Sequence, residues 1–131
     1  MVTVNLLAVI AAAVSSFVLG GLWYSNALFG AAWKREAGDG RNPGEGHPVK
    51  LFGLSLVFAL VAAFAYAVIV PAPTSAAQAA VQGLIVGAAI VAASFGINYQ
   101  FANRSTTLWL IDGGYHAVQF LLYGLIIGLW R

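Results

Sequence analysis

The sequence predicts an all-α polytopic membrane protein, a bundle of four transmembrane helices that forms a single domain over residues 1–131. Three observations carry this expectation. Hydrophobic residues make up 61% of the chain and charged residues only 8%, against about 25% charged in soluble domains. Apolar stretches long enough to cross a bilayer alternate with breaks rich in turn residues. The last stretch runs between Trp109 and Trp130, and at 1.5 Å per residue these indoles stand about 31 Å apart, as anchors at two membrane faces would. Four spans and their connections use the whole length, leaving no room for a soluble catalytic domain.

The first helix is expected over about residues 3–25 and retained, because no positive segment precedes it as in a signal peptide. Ala8, Ala12, Ser16 and Gly20 recur every four residues, a small-residue seam that admits a close neighbour. Trp23 and Tyr24 mark an interface, and Asn26 to Trp33 reads as a turn and a short segment at the membrane surface. An aqueous loop over about 34–49 follows. Lys34 to Lys50 holds seven of the ten charged residues, four glycines and two prolines, a solvated connection with no ligand spacing. His47 within it reads as solvent-exposed.

The second helix, about 50–70, is apolar on nearly every face apart from Ser55 and Tyr66, so it is expected to meet lipid broadly. Pro71 and Pro73 break the chain, and the third helix is expected over about 77–98. Ala80, Gly83, Gly87, Ile90, Ser94 and Asn98 fall on one face at spacings of three and four, a second seam ending in a polar group. Ser and Thr residues between Tyr99 and Thr107 supply a cap for the fourth helix, about 107–130. Its Gly124 and Gly128 form a further small-residue pair.

Asp112, His116, Gln119 and Tyr123 are spaced four, three and four, so they share one face of that last helix. Lipid cannot satisfy such a stripe, so it is expected to face the bundle interior or a partner, with Asn98 as its neighbour from the third helix. A structural account of Asp112 places it near the amino end of its helix, where the macrodipole favours an anion and Arg104 is within reach. A functional account makes Asp112 and His116 a proton relay or small-cation site completed by Asn98 and Gln119.

Lys34, Arg35, Arg41, Lys50 and Arg104 fall on one side of this topology and Arg131 on the other. Positive-inside bias then places the first and third loops in the cytoplasm and both termini outside, in a bacterial cytoplasmic membrane. The glycosylation pattern Asn103-Arg104-Ser105 would face the cytoplasm and reads as chance. Gly21-Leu-Trp-Tyr24 and Gly96-Ile-Asn-Tyr99 close the first and third helices alike, a match that interfaces rich in Gly and Tyr produce without duplication.

The residues Gly20, Trp23, Tyr24, Ser25, Phe29, Gly30 and Trp33, with Asp112, Gly114 and Tyr115 later, resemble the signature of small bacterial four-helix membrane proteins grouped as domain of unknown function seventeen sixty-one. The sequence departs from that pattern at Asn26, where the family usually has proline, which implies a looser chain reversal. The resemblance implies a four-helix membrane bundle and supplies no activity.

Absence of cysteine removes disulfides, thiolate nucleophiles, iron–sulfur ligation and thiolate zinc sites together. One intramembrane histidine excludes an internal bis-histidine haem in a monomer, and Asp112 with His116 gives only two zinc ligands; no metal or other cofactor is expected. Ser15, Ser16 and Ser94 suit helix packing and show no paired base, so no enzyme is expected. A net charge of +2 spread over a loop and a terminus is no nucleic-acid footprint. The preferred reading is a non-catalytic membrane bundle whose seams serve packing, self-association or docking in a larger membrane complex, with the bilayer as its solvent. The alternative is a proton, ion or small-solute conduit, which needs an oligomer with the stripe at the interface because four helices scarcely enclose a path.

Overall fold

The computed structural model describes residues 3–131. The elements are α1 (Leu6–Trp23), a short α2 (Gly30–Ala37), α3 (Pro48–Ile69), α4 (Ala76–Phe101) and α5 (Thr106–Leu129). Helices α1, α3, α4 and α5 have 18, 22, 26 and 24 residues and mean hydropathies of 2.2, 2.4, 2.0 and 1.3, so each is long and apolar enough to span a bilayer. Leu7, Val18, Phe58, Val61 and Ile69 are among many large apolar side chains on the outside. A surface of that kind is stable where the solvent is lipid.

Local chemistry explains where each helix starts and stops. Asn5 caps α1 by accepting from the amides of Leu7 and Ala8, and its Nδ2 donates to the Trp130 carbonyl at 2.8 Å, joining the two chain ends. Pro48 opens α3, where its missing N–H is no loss. Ser75 and Ser105 cap α4 and α5 through the amides of Gln78 and Leu108. The aqueous loop begins later than the sequence suggests, because 34–37 complete α2, which ends in a left-handed Gly38 at φ 75°. Lys34 and Arg35 lie in its last turn, where a cation favours the dipole of the helix.

Helix α5 is the centre of the molecule. No residue from Ile111 to Gly128 is exposed. Helices α1 and α4 flank it, α2 lies against its early turns, and α3 packs mainly on α1. The expected seams are used inside this one chain. A β-carbon at Gly87 would stand 2.9 Å from the Ala117 Cα, one at Gly124 would stand 3.1 Å from the Gly83 Cα, and one at Gly128 would stand 2.9 Å from Pro73 Cγ. Gly83 faces the Phe120 carbonyl in the same way. On α1, Ala8, Ala12 and Ser16 are buried, and Gly20 lies beneath the Tyr115 ring.

The face of α4 that meets α5 differs from the expected one. Gly83 and Gly87 lie on it as expected, with Ala79 fully buried in place of the partly exposed Ala80, but the next residues are Ala92, Phe95, Gly96 and Tyr99, while Ile90, Ser94 and Asn98 are exposed. The reason is a π-helical stretch over Ile85–Ala92, whose wider turn makes the step from Gly87 to the next fully buried residue, Ala92, five, with Val91 partly buried before it. Past that stretch, every inward position falls one residue later than α-helical spacing dictates. The Ala92 carbonyl at its end accepts from Trp109 Nε1 of α5 at 2.7 Å.

The glycine contacts lead to a direct test. Gly87→Leu forces a side chain against the α5 backbone and is expected to cost about 1–3 kcal/mol, as overpacking does. Thermal unfolding of the detergent-purified variant should show a lowered midpoint. Gly21→Ala, where nothing stands within 4 Å of the new carbon, should melt at or slightly above the wild-type temperature.

Candidate functional site

The polar stripe of α5 turns inward, as a stripe in a lipid-solvated helix must, and it divides into two separate constellations. The first surrounds Asp112. Tyr24 Oη, from the residue that ends α1, donates to Oδ1 at 2.6 Å. Tyr99 Oη, from the last turns of α4, donates to Oδ2. One carboxylate thus joins the ends of two helices that run in the same direction, and charge-assisted bonds of this type are the strong ones.

The residues around Tyr24 make this placement unavoidable. Trp23 Nε1 donates to the Ile111 carbonyl at 2.8 Å, and its ring covers Gly114, where a β-carbon would stand 3.0 Å from Cζ2. Tyr115 lies against Gly20 in return and donates to the Ser16 carbonyl at 2.9 Å. The Tyr24 and Tyr115 rings stack with centroids 5.7 Å apart. Phe29 packs on Trp23 at 4.7 Å. The chain reversal is tied by the Phe29 amide to the Trp23 carbonyl and the Gly30 amide to the Ser25 carbonyl, at 3.0 and 2.9 Å. Ser25 Oγ closes the preceding turn on Leu22. Any residue larger than glycine at position 30 would meet the carbonyls of Tyr24 and Ser25. Trp33 and Asp112 share the lining of a cavity of about 250 Å³ at this end of the bundle, together with Asp39, Arg41 and Arg104.

Three expectations for Asp112 are corrected. Asn98 lines the same cavity but is exposed and makes no side-chain hydrogen bond to the stripe; Tyr99 takes that role through the π-helical shift. Arg104 donates instead to the Ala37 carbonyl at 3.2 Å. Nor does the macrodipole account for the acid, since α5 starts at Thr106 and has no acidic residue in its first turn.

The second constellation is a hydrogen-bonded row deeper along α5. His116 Nδ1 and Gln119 Oε1 are 2.6 Å apart, Gln119 Nε2 donates to Tyr123 Oη at 2.9 Å, and Tyr123 Oη donates to the Ala59 carbonyl of α3 at 3.4 Å. With the amide oxygen accepting, Nδ1 carries the hydrogen. Phe95 and Tyr115 pack edge-on against the His116 ring at 4.7 and 5.0 Å. Gln119 and Tyr123 are buried inside the single chain at 6% and 0% exposure.

The serines considered as nucleophiles are otherwise engaged. Ser15 and Ser16 each donate to a carbonyl three residues earlier at 2.6 Å, and Ser94 is exposed. His47 is exposed at the cap of α3. No group of three or more potential metal ligands occurs among the described residues.

In the aqueous loop, Arg41 holds Asp39 through Nη2 at 2.7 Å and Nε at 3.0 Å. The hydrogen bond from the Arg41 side chain keeps the Asp39 carboxyl below its ordinary range, and the same bond raises Arg41.

The residues that sequence reasoning undervalued are Tyr24 and Tyr99. Their signal was the repeated Gly-x-x-Tyr at the ends of α1 and α4, and both tyrosines meet on the same acid. Among known proteins, a family profile described as a protein of unknown function (DUF1761) matches residues 7–128, which includes both constellations. No curated protein and no solved structure matches the chain.

Tyr24→Phe and Tyr99→Phe each leave a carboxylate oxygen short of a partner and are expected to cost about 1–3 kcal/mol. Asn98→Ala should stay within about 0.5 kcal/mol of wild type. Thermal melts in detergent compare the three. For Asp39 the depressed value means that its contribution is present above the ordinary carboxylate range and is lost as pH falls through the lowered value. Carboxyl resonances followed by NMR in micelles should show Asp39 titrating below about 3.9, and Arg41→Gln should return it toward that value.

Proposed function

The chain belongs to this family of unknown function, and from its geometry we propose that it is a non-catalytic membrane bundle that works as an accessory subunit of a larger membrane complex. The observation that carries the reading is that the stripe's interior polar groups are engaged with one another: Asp112 by two phenols, and Gln119 and Tyr123 in a row that ends on a backbone carbonyl. Buried hydrogen bonding of that kind fixes which helices meet and in what register. Its energetic weight falls on architecture.

The conduit reading has less support. In its oligomeric form it needs the stripe between copies, whereas Gln119 and Tyr123 lie inside one chain. Self-association through the glycine pairs is likewise less favoured, because Gly83, Gly87, Gly124 and Gly128 already hold α4 against α5. Docking therefore falls to the lipid-facing sides of α1 and α3.

We place the protein in a bacterial cytoplasmic membrane with both termini outside. Support comes from the five basic residues of the first and third connections, whose ends the Arg104 contact with Ala37 brings together.

Crosslinking in native membranes followed by mild extraction should return the chain with a stoichiometric membrane partner. Proteoliposomes of the purified chain should dissipate proton and ion gradients no faster than empty vesicles. A flux that Asp112→Asn abolishes while the fold persists would replace this reading with the conduit.

A further inference from the structure

The feature that the packing leaves unused is a cleft between α1, α3 and α5. Helices α1 and α3 pack tightly through Ala8, Val9, Ala12, Ala63 and Ala67 near the chain termini. Toward the loop end they diverge around two adjoining cavities of about 480 and 400 Å³, which share Ser16, Phe17, Ser55 and Tyr115. The first reaches Pro43 and Gly44 of the aqueous loop; the second ends against His116, Gln119, Phe58 and Ala62. Volumes of this size suit a small molecule. Because most of the walls are membrane spans, the bilayer has access to the cleft along its length, and the aqueous loop borders only one end.

The walls are mostly apolar, and the polar atoms are informative one by one. Ser16 Oγ is bound to the Ala13 carbonyl, Tyr115 Oη to the Ser16 carbonyl, and the Gln119 amide at both of its ends. Two groups differ. Ser55, exposed on α3, has no hydrogen bond from its Oγ among the described residues and lines both cavities, whereas Ser94, likewise exposed and unbonded, lines neither. His116 uses Nδ1 as a donor to Gln119, which leaves Nε2 an acceptor with no partner among the described residues. Ser55 and His116 lie roughly 10 and 15 Å along their helices from the loop end. At such depth a charged head is strongly disfavoured, and a neutral donor is what an unpartnered imidazole nitrogen requires.

We propose that this cleft binds a neutral, long-chain bilayer molecule with a hydroxyl head, the hydroxyl donating to His116 and meeting Ser55 while the chain lies along Phe17 and Phe58. The ligand chemistry is that of a long-chain alcohol or a diacylglycerol. The assignment is independent of the accessory-subunit reading, since a bundle with or without a partner can hold it.

The test uses the full chain in vesicles of phosphatidylethanolamine and phosphatidylglycerol, with a long-chain primary alcohol carrying a diazirine and, in parallel, its methyl ether. Binding in the cleft yields saturable crosslinks on the segments around Ser55 and His116, competed by unlabelled alcohol. The ether, which has no hydrogen to donate, should label about tenfold more weakly. Ser55→Ala should weaken labelling severalfold, and Ala62→Phe should remove it by filling the cavity, whereas Val57→Phe on the lipid-facing side should not. If Ala62→Phe fails to elute as a folded species, the alcohol-to-ether ratio on wild type decides alone. Equal labelling by alcohol and ether, or labelling that never saturates, overturns the proposal and leaves bulk lipid or water as the content of the cleft.

Discussion

A carboxylate carried by the innermost helix of a lipid-solvated bundle needs partners that lipid does not offer. Asp112 has two, and both are phenols at the loop end of helices that flank α5. Much of the fold follows from bringing them there. Tyr24 must leave α1 at the height of Asp112, so the helix ends one residue earlier and Trp23 is bonded to the adjacent turn of α5. Gly30 then allows the chain to fold under its own preceding turn and lay α2 against the same helix. The end of the first helix and the Gly114-Tyr115 stretch of the last are two halves of this contact, interlocked by Trp23 on Gly114 and Tyr115 on Gly20.

Glycine supplies the closeness and the π-helix supplies the register. Without apolar association to drive helices together in lipid, α4 and α5 gain their contact energy from backbone approach through Gly83, Gly87, Gly124 and Gly128. That contact sets the rotation of the first half of α4. Continued as a regular α-helix, it would turn Asn98 toward α5 and Tyr99 away. The wide turn over Ile85–Ala92 reverses this choice, and the Trp109 indole bonds the carbonyl at its end. Local irregularity in one helix thus brings a hydrogen-bond donor to an acid on another.

The inward stripe was legible because a period of 3.6 residues and an apolar surround leave it only one sensible direction, and Gln119 and Tyr123 are buried as that argument requires. The early half of the third-helix seam was legible for the same reason. Beyond Gly87, α-helical spacing, which no residue type in that stretch contradicts, puts Ile90, Ser94 and Asn98 on a face they do not occupy. Arg104 was matched to Asp112 by proximity in sequence and sign of charge, but a free carbonyl at the end of α2 lies nearer to it in space. The short helix through Ala37 was hidden by its polarity, since Lys34, Arg35 and Glu36 read as loop when no partner surface is in view.

By itself, then, the sequence determined the spans, the cap of the last helix, the small-residue seams up to Gly87 and the inward turn of the α5 stripe, all of which follow from residue type, hydrophobicity and spacing within one segment. Tertiary structure alone decided which polar groups meet: Tyr24 and Tyr99 on Asp112, Ala59 beneath Tyr123, and the division of the stripe into two constellations. Those pairings depend on the relative rotation and height of separate helices. Rotation and height come from glycine contacts and one π-helical turn, and neither is written in the period of any single helix.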